Sequence, residues 1–528
     1  MKKTLLVISH DKIGRRMAGV GIRYYEVARA LAKQGFQVTL AAPIGSHLPV
    51  PRADEDASSF FFVTVPSLDS KELHDLVKEH LAVLAHPEAI WSCRQVLDEE
   101  PVFVVVDGYD ITLFEQLELD SSSQGNSTWI VEYHRRLRFV LKRGDFFVTA
   151  TERQRDFWLG LLAGAGRIDG QIYRADPSLR NLIDLLPYGF PDHPPRHTRS
   201  VMRNVVPGIG EDDFIVLWGG GAWQWLDPVT LVKAASAIAK QRQDVKFFFP
   251  GLSHPAPELV AAMPVQAEVV AMSERLGLKD KVIFFGEWAD YEDWQNYLLE
   301  SNCGVSLHRD HVEASFAART RVMGYLWADL PMILTSGDEW SEEMARLGLA
   351  NLVQPEDAQA VAEAILELAE KGGRAASRLS EVEKSKMKWS SCVKVLQKRL
   401  NQVLDLAELK AISREESRFS GLSLVEMDDP KADPQMPTVP RPRSVFARLI
   451  HPLIRASVLW YLESIVAQQN LVNAHLVDRL RQCESRLIEQ ESRLIEQESR
   501  LIEQESRLVR QQSALIETNL LLSDLAEQ

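Results

Sequence analysis

The first 405 or so residues alternate short apolar runs with segments of helical periodicity, and this pattern constrains the fold more than any other feature. It is typical of α/β units, in which helices cover both faces of a parallel sheet. The predicted strands are Leu5–Ile8, Gln37–Ala41, Phe60–Thr64, Val102–Val106, Trp129–Glu132 and Phe146–Thr149, followed by Phe214–Trp218, Lys246–Phe249, Val282–Phe285, Gly304–Leu307 and Met332–Thr335. The two series predict two Rossmann-like domains that face a cleft.

A cluster of proline and glycine at 187–195 separates the two series, and such clusters mark breaks in regular structure. We therefore expect an N-terminal domain over 1–195 and a C-terminal domain over 196–410. Residues 411–443 are interpreted as a linker, since 429–443 contains five prolines. Residues 444–528 are predicted to form a helical tail.

Within that tail the heptad Glu-Ser-Arg-Leu-Ile-Glu-Gln occurs three times in tandem over 484–504. A seven-residue period indicates a coiled coil, which would make the chain a homo-oligomer. The second core position of each heptad is polar, so a solvated single helix stays open as the alternative.

Residues 445–466 combine apolar positions with nearby arginines. A basic amphipathic helix of this kind can lie on an anionic membrane. The alternative is that its apolar face packs on another helix or on the domains. Peripheral contact with the inner face of a membrane is therefore a secondary expectation.

Charge and cysteine usage exclude other classes of protein. The net charge is −14, which argues against nucleic acid as a partner. The four cysteines are widely spaced and form no CxxC motif, as expected in a reducing compartment. No apolar run approaches the roughly 18–20 residues of a membrane span, and the apolar run after Met1 is too short for a signal peptide. A cytoplasmic location is predicted.

Two glycine-containing segments follow the first predicted strand of each domain. Gly19, Gly21 and Arg23 follow the first, and Gly219, Gly220 and Gly221 follow the second. Glycine lets a ligand approach the backbone, and the N-terminus of the next helix attracts phosphate. Both segments are candidate phosphate loops, with structural turns as the alternative.

Two further segments carry candidate polar groups. His308 and Glu313 follow a predicted strand, and Arg319 and Arg321 open the next helix, where guanidinium groups would suit a diphosphate. In the first domain His134 follows the predicted strand Trp129–Glu132, which would place it in the cleft. Solvated surface side chains are the alternative for both segments.

These residues resemble the GT-B glycosyltransferases, and specifically the retaining group 1 (family 4) enzymes of bacterial surface-polysaccharide clusters. The resemblance covers about residues 1–405 and rests on three segments of the chain. They are the glycine loop, helix and second strand over 19–40, the run from Val282 to Gly286 with 303–307, and Leu326 to Ile333.

The chain departs from the family pattern at two places. The family carries a pair of glutamates. In this chain Glu313 stands at the first of the two positions, and Gly324, which has no carboxylate, stands at the second. The arginine and lysine that follow the family's second glycine loop are replaced by the segment from Trp223 to Leu226. We expect Arg319 and Arg321 to supply these cations instead.

The resemblance implies transfer of a hexosyl group from a nucleotide-sugar donor to a glycan or lipid-linked acceptor, with retention and without a metal or other cofactor. Gly219, Gly220, Gly221, His308, Arg319 and Arg321 would bind the donor, and Glu313 would contact its ribose or sugar. His134 would act on the acceptor side or on the transferring sugar, and the loop of Gly19, Gly21 and Arg23 would face the acceptor or the phosphate. Two alternatives remain: a catalytically degenerate scaffold that acts through its coiled coil, and a sugar-nucleotide epimerase.

Overall fold

A computed structural model describes residues 3–49, 60–123, 129–372 and 378–404. All of them belong to the first of the two units into which the chain divides, Met1–Leu422. The predicted linker and helical tail, with the heptads and the basic amphipathic segment, lie outside the described residues.

The first half of the chain builds a seven-stranded parallel sheet with the strand order β3-β2-β1-β4-β5-β6-β7. Its strands are β1 (Thr4–Ile8), β2 (Gln37–Pro43), β3 (Phe61–Val65), β4 (Ala82–Ala85), β5 (Phe103–Asp107), β6 (Phe146–Thr149) and β7 (Ile183–Leu185). Its helices are α1 (Gly19–Lys33), α2 (Lys71–Glu79), α3 (Pro87–Ser92), α4 (Arg94–Glu99), α5 (Thr112–Ser123), α6 (Trp129–Arg143), α7 (Glu152–Gly164) and α8 (Gly170–Ala175).

The second half builds a six-stranded parallel sheet with the order β10-β9-β8-β11-β12-β13. Its strands are β8 (Phe214–Trp218), β9 (Val245–Pro250), β10 (Ile283–Gly286), β11 (Cys303–Ser306), β12 (Met332–Thr335) and β13 (Ala350–Val353). The helices are α9 (Pro228–Ile238), α10 (Pro264–Arg275), α11 (Trp294–Glu300), α12 (Val312–Phe316), α13 (Thr320–Trp327), α14 (Glu339–Arg346), α15 (Ala358–Glu370), α16 (Glu381–Lys386) and α17 (Trp389–Cys392).

The predicted α/β class with two parallel sheets is confirmed. Strand β1 shows why the apolar runs were informative, because all of Leu5 to Ile8 are fully buried. Leu5 and Val7 join the core cluster that includes α1, while Leu6 and Ile8 join the cluster on the opposite face. A strand covered on both faces needs apolar residues at every position rather than at alternate ones.

The predicted strand Trp129–Glu132 is wrong, since these residues open helix α6. The apolar positions that follow have helical spacing, and Leu137, Val140 and Leu141 form the buried face of the helix. Val131 is 72% exposed, so the β-branched start of the segment is not packed in a sheet. Burial of the later positions outweighs the strand propensity of the first few.

The last described segment, 389–404, packs on the first half of the chain rather than on the second. Leu396, Leu400 and Leu404 lie in the same core cluster as Tyr24 and Leu31 of α1. Lys3 Nζ donates a hydrogen bond to Asn401 Oδ1 at 2.8 Å. The indole of Trp389 packs edge-on against Tyr188, with ring centroids 4.9 Å apart. The chain therefore crosses between the two halves twice, once near 190 and once near 388.

Within the described part of the chain, no helix combines the length and apolar character that crossing a bilayer requires.

Candidate functional site

Two connected cavities lie between the carboxyl ends of the two parallel sheets, where ligands of open α/β folds bind. The larger has a volume of about 890 Å³. The smaller has a volume of about 150 Å³ and is lined mainly by aromatic residues and glycines. Gly19, Trp223, Thr320 and Arg321 line both, so they mark the junction of the two cavities.

The glycine loop after β8 forms one wall of the smaller cavity. Gly219 N–H donates to the Tyr325 hydroxyl at 2.8 Å, and a Cβ at Gly219 would lie 2.7 Å from that oxygen. Gly220 has a φ of +118°, which side chains rarely adopt. A Cβ at Gly221 would meet the Trp223 ring at 2.5 Å. The loop thus requires glycine at all three positions. Gly220 needs it because of its backbone conformation, and Gly219 and Gly221 need it because a Cβ would have no room.

Arg321 is a buried cation without a carboxylate partner among the described residues. Its side chain lies in the first turn of α13, 4.7 Å above the Trp218 ring. One terminal nitrogen, Nη2, donates to the Gly221 carbonyl at 3.0 Å, and the other, Nη1, has no hydrogen-bond partner. Burial is the main cause that lowers the pKa of Arg321 to about 10. An anion at the cavity junction would relieve this desolvated charge.

Arg319 and Glu313 form a buried bidentate pair on the wall of the larger cavity. The two guanidinium nitrogens Nη1 and Nη2 donate to the Glu313 oxygens at 3.0 and 2.7 Å. Glu313 is thereby fixed and neutralised. The two predicted cations therefore differ, because Arg319 is balanced by a carboxylate and Arg321 is not.

The N-termini of α1 and α13 meet at the same junction. A Cβ at Gly19 would lie 3.2 Å from Thr320 Oγ1, and a Cβ at Gly21 would lie 2.6 Å from the Lys12 carbonyl oxygen. Neither helix has a side-chain cap at its first residue. Free N–H groups and the helix dipole make both N-termini attractive to an anion.

Arg23, the third member of the first predicted loop, does not reach either cavity. It is fully buried, and it donates from Nε and Nη2 to the two Asp107 oxygens at 2.8 Å each. A third hydrogen bond runs from Nη2 to the Leu186 carbonyl at 2.9 Å. Arg23 therefore lines neither cavity, since its guanidinium is paired with Asp107 inside the first half.

Both predicted histidines also lie away from the cavities. His134 is an exposed residue of α6, because the segment is a helix and not a strand whose end faces the cleft. His308 is 2% exposed, and its Nδ1 lies 2.9 Å from the Arg309 carbonyl. Neither side chain lines a cavity, so the geometry gives neither a place at a bound ligand.

The first-half wall of the larger cavity carries carboxylates that the sequence reasoning missed. Asp110 follows β5 and Glu115 lies in the first turn of α5. Asp11 also lines the cavity, and its Oδ2 lies 3.3 Å from His254 Nε2 of the second half. A signal for Asp110 was present, since it follows a predicted strand whose carboxyl end faces the cleft.

Polar contacts hold the two halves together on both sides of the cavities. On one side Arg15 donates to Asp290 at 2.7 Å, and the Trp288 indole donates to the Met17 carbonyl at 3.1 Å. On the other side Gln154 donates to the Phe316 carbonyl at 2.9 Å. The cleft is therefore in a closed arrangement.

Gly324, at the position of the family's second glutamate, lines the smaller cavity. A Cβ there would lie 3.1 Å from Trp294 Nε1. The indole of Trp294 thus occupies the space that a longer side chain at 324 would need.

Comparison with solved structures identifies the arrangement as the GT-B fold. HepE from Anabaena in complex with UDP-glucose is 12% identical, has a TM-score of 0.51, and matches over 76% of this chain and 99% of that chain. Sucrose-phosphate synthase from Thermosynechococcus elongatus is 13% identical with a TM-score of 0.48, over 79% and 100% of the two chains. WaaG, a glycosyltransferase of lipopolysaccharide biosynthesis, is 14% identical with a TM-score of 0.45, over 74% and 93%. No protein-family model and no curated protein sequence matches the chain.

Proposed function

We propose that this protein is a glycosyltransferase that moves a hexosyl group from a nucleoside diphosphate sugar to a hydroxyl acceptor. The observation that carries the proposal is Arg321, a buried guanidinium whose Nη1 has no partner among the residues that the structure describes. It lies at the junction where the glycine loop and two uncapped helix N-termini converge. A diphosphate is the ligand whose charge and geometry fit these donors.

The two cavities divide the substrates between them in this proposal. The base and ribose would lie in the smaller cavity, where Trp223 and Trp288 offer stacking surfaces. The donor sugar and the acceptor, a glycan or a lipid-linked glycan of cell-surface polysaccharide synthesis, would share the larger cavity. HepE, whose solved complex contains UDP-glucose, supports a uridine nucleotide as the first donor to test.

Catalysis would rest on stabilising the negative charge of the departing nucleoside diphosphate. Arg321 would supply that stabilisation from a cavity that is lined mainly by aromatic residues and glycines. Since Arg321 already provides a cation, no metal is required, and adding a chelator should leave the rate unchanged. Retention of configuration is part of the proposal, because the resemblance implies it.

The test is calorimetric binding of UDP and UDP-glucose, with GDP, dTDP and ADP as competitors. Replacing Arg321 by methionine should weaken UDP binding at least tenfold, because a charge-assisted contact contributes about 1.5–3 kcal/mol. Uridine affinity should change little, since uridine has no phosphate. Arg346→Met is the matched control, as Arg346 is exposed on α14 far from the cavities. A folded protein that binds none of these nucleotides would contradict the proposal.

A sugar-nucleotide epimerase is the second candidate. Such an enzyme needs acidic groups that exchange protons with the sugar ring, and Asp110 and Glu115 in the larger cavity supply such groups. The two activities are separated by incubating UDP-glucose in deuterated water without an acceptor. Deuterium in the recovered sugar would favour epimerisation, and release of UDP would favour transfer. Binding of UDP with neither outcome would favour the degenerate scaffold.

The remaining expectations are also part of the proposal. They are a domain boundary near residue 195, oligomerisation through the heptads, and peripheral contact with a membrane. Comparing the full chain with one that ends at Leu404, by light scattering and by sedimentation with anionic vesicles, tests the last two.

A further inference from the structure

We propose that the larger cavity binds an acceptor sugar that carries an apolar group, either the alkyl chain of a lipid or an aromatic ring, beside the hydroxyl that reacts. This inference rests on the proposed glycosyl transfer and specifies its acceptor. It assigns the apolar group to Trp225 and residues 259–264 of the second half, which line the larger cavity and which we call the apolar wall.

The apolar wall offers almost nothing to a sugar hydroxyl. Residues 259–264 have the sequence Leu-Val-Ala-Ala-Met-Pro, without a charged or hydroxyl side chain. Leu259 is 43% exposed, and Trp225 and Val260 are half-buried. A sugar that lies against these aliphatic side chains would give up hydrogen bonds with water and gain none in return, which costs free energy. An apolar group gains free energy at the same place, because its contact with the wall removes apolar surface from water.

Contacts within the second half hold the apolar wall in shape. Gln224, close behind the glycine loop, donates its backbone N–H to Met263 Sδ at 3.2 Å. Its side-chain oxygen Oε1 accepts from Val265 N–H at 3.2 Å. Gln266 Nε2 donates to the Ala222 carbonyl at 3.0 Å. The wall is therefore fastened to the same backbone segment that forms the glycine loop.

The apolar wall belongs to the cleft between the two halves and not to the outer surface. Glu258, immediately before the wall, forms an ion pair with Lys12 of the first half. Leu119 of α5, also from the first half, packs against the core cluster of the second half on which Trp225 and Val260 pack. A ligand in contact with the wall is therefore also within reach of the first half.

The apolar wall begins beside the place where the diphosphate would leave. Trp223 lines both cavities at their junction, as Arg321 does. The rings of Trp223 and Trp225 are stacked, with centroids 6.3 Å apart and planes inclined by 26°. An apolar group on Trp225 therefore lies close to the reacting hydroxyl, as in a glycoside whose first sugar is the acceptor. A long glycan would place a distant lipid far from this wall.

The first half contributes polar groups to the same cavity, which suit the sugar part of such an acceptor. His10 and His86 line the cavity, with ring centroids 4.4 Å apart. Burial lowers the pKa of both side chains, so both imidazoles are neutral at neutral pH. A neutral imidazole has one donor and one acceptor nitrogen, as hydrogen bonding to a hydroxyl requires. The cavity thus has a polar side for a sugar and an apolar side for its aglycone.

The experiment is calorimetric titration of the UDP-bound protein with methyl, octyl and phenyl β-glucoside. Octyl glucoside is kept below the concentration at which it forms micelles. The tighter-binding of the two apolar glucosides should have a Kd at least about tenfold below that of methyl glucoside, since burial of about two methylene groups gives that factor. Tighter binding of octyl glucoside would identify the apolar group as a lipid chain, and tighter binding of phenyl glucoside would identify it as an aromatic ring.

Leu259→Asp tests whether the apolar wall is the binding surface. It should weaken binding of the preferred apolar glucoside at least about fivefold, because it places a carboxylate against the apolar group. The Kd of UDP should change by less than about twofold, since Leu259 lines the larger cavity and not the smaller one. Leu276→Asp is the matched control and should change neither affinity. Leu276 is also 43% exposed, but it lies at the C-terminal end of α10 and lines neither cavity.

Equal affinity for the three glucosides, or no glucoside binding at all, would overturn the inference and leave the proposed function standing. Unchanged glucoside affinity in Leu259→Asp would do the same, as would an equal loss in Leu276→Asp. Absence of UDP binding would instead refute the proposed function. The same titrations of the free protein would then decide whether the apolar wall binds an apolar glycoside.

Discussion

Arg321 is buried and Asp110 is half-buried, and neither side chain forms an ion pair within the described part of the chain. Burying a charge without a partner costs stability, and proteins retain such groups mainly where a ligand or a reaction needs them. Arg23 and Arg319 show the contrast. Both are buried, but each is paired with a carboxylate. At the residue scale, the lack of a carboxylate partner among the described residues sets Arg321 apart from these two arginines.

Replacing Asp110 by asparagine should stabilise the protein at alkaline pH. The folded-state pKa of Asp110 is raised to about 8, so between about pH 4 and pH 8 the folded state keeps a proton that the unfolded chain has lost. Stability must then fall as pH rises through this window, and asparagine removes the fall. We expect a gain of about 1–3 kcal/mol at pH 8 and little change at pH 4, measured by urea unfolding at both values. An equal effect at both pH values would contradict the assignment.

Part of the site was predictable from the residues, and part was not. The second glycine loop directly follows the predicted strand Phe214–Trp218, and Arg321 opens the helix predicted after the polar segment at 308–313. Asp110 and Glu115 are acidic residues near a strand end, as in many proteins. What distinguishes them is that Arg23, Arg136 and Arg319 are bonded elsewhere, and these partners come from distant parts of the chain.

At the scale of elements, the glycine loop depends on helix α13 for its shape. The hydroxyl of Tyr325 accepts from Gly219 N–H and lies 2.9 Å from the Val305 carbonyl oxygen in β11. A Cβ at Gly304 would meet the Tyr325 ring at 2.6 Å, so the helix sits directly on the strand. The hydroxyl of the fully buried Tyr325 thus connects helix α13 to both the glycine loop and strand β11.

Tyr325→Phe should therefore loosen the loop without opening a cavity. Gly219 N–H would lose its acceptor in a buried position, which costs about 1–3 kcal/mol of unfolding free energy. The affinity for UDP should fall as well, because the loop N–H groups would no longer be held in place. Tyr173→Phe is the control, since Tyr173 is 55% exposed on α8. Unchanged stability measured by urea unfolding would show that water replaces the hydroxyl.

The composition and periodicity of each element explain whether it could be predicted from the sequence. Strands β6, β8 and β12 were predicted with their observed bounds, because each is a run of apolar residues closed by polar ones. Strand β4 was missed, since two of the four residues of Ala82–Ala85 are alanine, which favours a helix over a strand. Helix α6 was mistaken for a strand because its first turn is apolar and β-branched, and its true period shows only over the following residues.

For the whole molecule, the segment 389–404 is the feature that joins the two halves into one structure. Its leucines complete the core beneath α1, and its first residue, Trp389, packs on the crossing near Tyr188. The polar contacts of Arg15 and Gln154 then close the cleft around the cavities. Stability of the first half is thus tied to residues from the far end of the second.

Leu400→Ala should test this connection. Leu400 is fully buried, so its truncation should lower the free energy of unfolding by about 2–5 kcal/mol. Val382→Ala on α16 is the control, because Val382 is 69% exposed and should change stability by less than about 0.5 kcal/mol. Urea unfolding followed by circular dichroism gives both values. A small effect of Leu400→Ala would show that the first sheet is stable without the returning segment.

The return of the chain to its starting domain has a consequence for synthesis on the ribosome. Lys3 and Asn401 are hydrogen-bonded although 398 residues separate them. A nascent chain that has completed β7 still lacks the segment 389–404 that covers α1, so apolar surface stays open while more than 200 further residues emerge. At about 5–20 residues per second that interval lasts roughly 10–40 seconds, long enough for aggregation or chaperone capture to compete with folding. Translation speed through the second half should therefore influence the yield of native protein.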